Sequence, residues 1–112
     1  MPPNEWDLFA LERLFPGTDP LAEAIRCGLG DAIVVERTLT GVGFFSTVRF
    51  STALPASEQR YWDSTFSHSR LSYGGSLMAW REGADVLELE GVTFGGEDWP
   101  TMFDASEVAG PP

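Results

Sequence analysis

The chain has 112 residues, 43% of them hydrophobic and 21% charged, which fits one domain with a single two-layer core and excludes both a separate catalytic domain and the composition of a disordered chain. Its formal net charge is −10 and its seven basic residues are all arginine, so Schiff-base chemistry and a phosphate-loop lysine are excluded. Residues 82–112 carry eight of the 17 acids and no base, an asymmetry that argues against nonspecific binding to nucleic acid or anionic membranes, since phosphate neutralisation needs clustered Lys and Arg.

The amino terminus, MPPNEWDLFALERLF, has no basic n-region, and no run of about 18 apolar residues occurs. The expectation is a cytoplasmic protein. Asn4 is placed to cap a helix over EWDLFALERL, with Glu5 and Asp7 in its first turn and Trp6, Phe9, Ala10 and Leu14 recurring at spacings of three and four. Pro16-Gly17 ends it. Thr18 or Asp19 then caps a second helix that opens on Pro20 and points Leu21, Ala24, Ile25 and Cys27 inward. Helical spacing makes Cys27, the lone cysteine, a core position, and a chain without a second thiol agrees with a reducing compartment.

From Ala32 the period changes to two. Ala32–Leu39 is rich in β-branched residues and predicts a strand, and Leu39–Phe50, LTGVGFFSTVRF, predicts another. Val42, Phe44, Ser46, Val48 and Phe50 share one face of it; Gly43, Phe45, Thr47 and Arg49 share the other. A dinucleotide-binding loop would need a glycine at position 46 and a helix starting there, so Gly41 is assigned to a turn and Gly43 to a bulge or a close backbone approach. Residues 51–72 lose regularity and predict a long loop, in which Tyr61, Trp62, Phe66 and His68 form a candidate ligand-binding lid.

His68 lies among Ser64, Ser67 and Ser69, with Asp63 or Asp104 as conceivable third members of a hydrolytic triad, but no G-x-S-x-G elbow surrounds any serine. One histidine and one cysteine leave zinc without a ligand set, and no acid ladder of the calcium-loop type occurs. No catalytic residue, metal or cofactor is assigned from the sequence.

The hairpin signal is Ser76–Arg81 and Asp85–Glu90 around Glu82-Gly83-Ala84. Alternation turns Leu87 and Leu89 inward and Val86, Glu88 and Glu90 outward, so two carboxylates share one face. A short strand at Val92-Thr93-Phe94 follows, after which Trp99 and Phe103 pack on the body; 1–4 and 108–112 are expected to fray.

LAEAIRCGLGDAIVVERTLTGVGFF, GGSLMAWREGADVLELEG and VTFGGEDWP, in that order, resemble a family of small bacterial proteins with a GVGFF strand and an LEG…WP C-terminal motif, over about residues 20–100. Val92 and Phe94 stand where that pattern would have tyrosines, and the middle loop is longer. The resemblance implies an α+β domain and transfers no catalytic residue. The expected fold is a single α+β domain over 1–112, two N-terminal helices on an antiparallel sheet of about four or five strands.

Three functional expectations follow. The favoured one is a non-enzymatic interaction protein of inhibitor or immunity type that meets a basic partner through Glu82, Asp85, Glu88, Glu90, Glu97 and Asp98, with nucleic-acid mimicry as its extreme form. A small-molecule module with the aromatic lid is the second. A hydrolase built on His68 is the third.

Overall fold

A computed structural model describes residues 1–110. Helix α1 spans Glu5–Leu14 and is fixed at its start by a reciprocal capping box: Asp7 N donates to Asn4 Oδ1 at 2.8 Å and Asn4 N donates to Asp7 Oδ2 at 2.8 Å. Helix α2, Pro20–Gly28, has Asp19 at its N-cap and Pro20 at its first position. Its buried stripe is Leu21, Ala22 and Ile25. Cys27, expected inside, is exposed, because at 100° per residue it lies about 200° round the helix from Ile25.

Six strands form one antiparallel sheet in the order β1-β2-β5-β4-β3-β6: β1 Ile33–Leu39, β2 Gly43–Arg49, β3 Tyr61–His68, β4 Gly75–Arg81, β5 Val86–Thr93 and β6 Val108–Ala109. The α+β class and the N-terminal position of the helices are as expected, with more strands. The β4–β5 hairpin pairs Arg81 with Leu87 through to Gly75 with Thr93, and β5 continues through Val92 and Thr93 where a separate short strand was expected. Register slips between Val34 and Glu36, so the bulge is in β1. Gly43 serves close approach: a Cβ there would collide with the Gly91 carbonyl, while one at Gly91 would strike the rings of Phe44 and Trp99.

The 51–72 loop needs correction. Residues 61–68 form β3, paired with β4 from Tyr61–Trp80 to Phe66–Gly75. Its polar, serine-rich run conceals an alternation in which Trp62, Phe66 and His68 turn toward the helices and Tyr61, Asp63, Thr65 and Ser67 turn away. At the ends expected to fray, the described residues make backbone contacts. Met1 O accepts from Val34 N, and β6 pairs with Ser67 and His68; positions 111–112 of the expected frayed tail lie outside the described residues.

Both helices cover one face of the sheet. Beneath them Val48, Phe66, Leu77, Ala79, Leu87 and Leu89 are completely buried, and Trp6 packs on Trp99, Phe66 and Phe103 at centroid distances of 4.8, 5.9 and 4.9 Å. Two charged groups join this interior. Asp7 is fully buried and ion-paired with Arg37 of β1. Arg81 is bonded to the carbonyls of Leu54, Pro55, Gly83 and Ala84, which stitches the irregular β2–β3 connection to the β4–β5 turn.

Candidate functional site

Among the described residues the other face of the sheet carries no helix. Because side chains alternate, each inward Leu of β5 alternates with an outward residue, and the antiparallel register lines these up across the strands. One row reads Glu36, Thr47, Glu88, Trp80, Tyr61; the next reads Thr38, Phe45, Glu90, Met78, Asp63. Glu88 and Glu90 thus occupy the middle of an open platform whose Phe45, Met78 and Trp80 are half-buried.

Two local features shape this platform. Thr47 Oγ1 donates to Glu88 Oε2, which orients that carboxylate from the β2 side. Trp80 and Tyr61 pair on the opposite side, centroids 5.3 Å apart and planes inclined at 49°. Burial, and after it the charge of Glu88, pushes the Glu90 carboxyl above its ordinary range. Tyr61 is pushed up as well, first by burial and then by Asp63 and Glu90. Among the described residues neither Glu88 nor Glu90 has an ion-pair partner; Arg49 shares their face, opposite Val86, and pairs with neither.

The six acids expected to form one partner-binding set are distributed along the whole hairpin. Glu88 and Glu90 meet on the platform. Glu82 and Asp85 flank the β4–β5 turn at one end, and Glu97 and Asp98 follow β5 at the other. Glu97 is occupied structurally, accepting from Ser72 N at 2.7 Å and from Ser72 Oγ at 3.3 Å.

The candidate lid residues are divided between the faces. Tyr61 belongs to the platform, Trp62 packs on Phe15 at 4.9 Å, Phe66 is in the core and His68 is buried against Trp6. His68 Nδ1 accepts from Arg70 N at 3.0 Å, which assigns the ring proton to Nε2; that nitrogen lies 3.9 Å from Glu107 Oε1. Burial lowers the imidazole pKa, Arg70 adds to that, and Glu107 and Asp104 oppose it. Asp63 is across the sheet from His68, Ser67 Oγ donates to Gly110 O at 2.7 Å, and Asp104 accepts from Ser106 Oγ at 2.7 Å, so these groups do not assemble into a triad. No group of three or more His, Cys, Asp or Glu gathers in metal-holding geometry among the described residues. Among the described residues no helix is long and apolar enough to cross a membrane.

A second feature is a groove of about 820 Å³ between α1 and α2, lined by Leu8, Phe9, Phe15, Ile25, Leu29 and Arg26 among others. Its place was not foreseen, since the apolar residues lining it read from sequence as ordinary helix–core positions. The platform was partly legible: alternation in SLMAWR and GFFSTVR already sets Met78 with Trp80, and Phe45 with Thr47, on common faces. That these four surround Glu88 and Glu90 depends on the β4–β5 hairpin and on the β2–β5 pairing, which joins residues 37 or more positions apart. Comparison with known proteins returned no match to a family model, to a curated protein or to a solved structure.

Proposed function

We propose that the protein is a non-enzymatic cytoplasmic binder, of inhibitor or immunity type, whose open sheet face docks a basic protein partner. One observation carries this reading: Glu88 and Glu90 are half-buried in the middle of a platform that also holds Trp80, Met78 and Phe45, and no cation among the described residues is paired with them. Desolvated carboxylates are costly unless a positive charge reaches them. A basic surface would supply that charge while covering Trp80, Met78 and Phe45, the combination of apolar centre and complementary charge that makes interfaces specific. The net charge of −10 would steer such a partner from a distance.

The test is co-purification from the source cells at low and high salt, with the wild-type chain and a Glu88→Gln/Glu90→Gln variant. Retention of one basic protein by the wild type, released by salt and lost with the variant, is the expected result. Retention indifferent to both salt and the two substitutions defeats the proposal.

A second reading, binding of a small apolar molecule, is favoured by the α1–α2 groove, whose size is that of ordinary ligand sites. A concentration-dependent rise in Tm with medium-chain fatty acids, lost in Leu8→Glu, supports it; an unchanged Tm across the series counts against it.

A further inference from the structure

Resting on the docking reading above, we infer that the platform is built to receive an arginine side chain, its guanidinium stacked on Trp80 and its N–H groups donating to Glu88 and Glu90. The inference comes from how the aromatic and acidic groups alternate across the strands. Trp80 is the cross-strand neighbour of Glu88, and Met78 is the neighbour of Glu90. Each of the two acids therefore borders an apolar side chain about 5 Å away between Cβ atoms, and the two side chains leave the same face of one strand with backbone origins about 7 Å apart. A planar cation lying on the indole would present its edge to the acids. A guanidinium has donors on several edges and can serve two acceptors from separate nitrogens, whereas an ammonium must reach both from one.

Three further details fit a guanidinium. Thr47 Oγ1 holds Glu88 by Oε2 and leaves Oε1 to accept from a newcomer. Tyr61, tilted against Trp80, walls the far side of the indole and holds it in place for stacking. Asp63, opposite Met78 and on the same face, adds negative charge beside the methylene path along which an arginine would enter. An ammonium keeps its hydration shell more tightly and gains less from an indole face beside half-desolvated acids. The chain's own Arg49 does not fill the place: it stands opposite Val86, exposed, without an ion pair to either acid.

Hexa-arginine amide and hexa-lysine amide, equal in charge, are titrated separately into the full chain at low salt, with affinity read by calorimetry and contact positions by amide chemical shifts. Expected are a Kd at least tenfold lower for the arginine peptide and shifts concentrated on β2, β4 and β5. In Trp80→Leu the preference should shrink to within about twofold while lysine-peptide affinity stays the same; Tyr61→Leu repeats the test should the first variant unfold. Glu88→Gln/Glu90→Gln should weaken both peptides at least tenfold, and Arg49→Ala should strengthen both. Equal affinities in the wild type, abolished together by the double Gln variant, overturn the arginine inference and leave the docking reading standing. Binding of neither peptide, or binding untouched by the double variant, overturns both.

Discussion

The two faces of this sheet handle buried charge in opposite ways, although they are made by alternate residues of the same strands. On the covered face Asp7 is fully buried yet supplied with a cation from Arg37 and a backbone donor from Asn4. On the open face Glu88 has only the Thr47 hydroxyl as a hydrogen-bond partner among the described residues, and the Glu90 carboxyl is displaced toward its neutral form by burial and by its neighbour. The first arrangement has its counter-charge within the chain and belongs to folding, although Asp7 Oδ1 and Arg37 Nε keep no hydrogen-bond partner among the described residues. The second has no cation paired with it among the described residues, and in the proposed function a partner supplies one.

The sharpest way to break this contrast is to remove the internal acid. Asp7→Ala strands Arg37 and removes the Asp7 half of the α1 capping box, and should cost about 4 kcal/mol in a urea unfolding curve. A loss under about 1 kcal/mol would mean the pair is dispensable and the two faces less different than argued. Next comes a comparison within the hairpin. Leu89→Ala, at a completely buried site, should lose about 3 kcal/mol, whereas Met78→Ala on the platform should lose about 1 kcal/mol or less. Similar losses at the two positions would show that the open face is as tightly packed as the covered one.

Two smaller effects sharpen the comparison through pH. For His68 the folded-state pKa is lowered by burial, with Arg70 acting in the same direction and Glu107 and Asp104 opposing. Its contribution to stability is therefore present above the ordinary imidazole range and lost as pH falls through the lowered folded value. Urea midpoints of the wild type should drop between neutral and mildly acidic pH, and His68→Leu should flatten that drop; parallel curves would remove His68 from the acid response. For Glu90 the sign reverses. Its folded pKa is raised, so the stability it gives is full below the ordinary carboxylate range and disappears as pH climbs through the raised value. Glu90→Gln should accordingly melt about 1–2 °C above the wild type at pH 7 and converge with it near pH 4, and a variant less stable at pH 7 would contradict an unpartnered, desolvated carboxylate.

Local patterns carried much of the fold. The Asn4 cap, the Pro20 start of α2, the alternation of β2 and the β4–β5 turn all depend on residues a few positions apart, and each was readable. Cys27 misled because a nine-residue helix offers too few turns to fix which face is inward. β3 misled because its serines and threonines weaken the apolar alternation that marks a strand; its order derives from pairing with β4 and from Arg81, which ties down the segment before it.

The amino-acid sequence by itself determined the α+β class, the acidity of the C-terminal quarter and the outward turn of Glu88 and Glu90, because composition and a two-residue period are properties of neighbours along a chain. Only the tertiary structure decided which acid is neutralised and which is left wanting. Asp7 meets Arg37 across 30 residues and Glu88 meets Thr47 across 41, and such encounters are fixed by strand order and register, which no local pattern encodes.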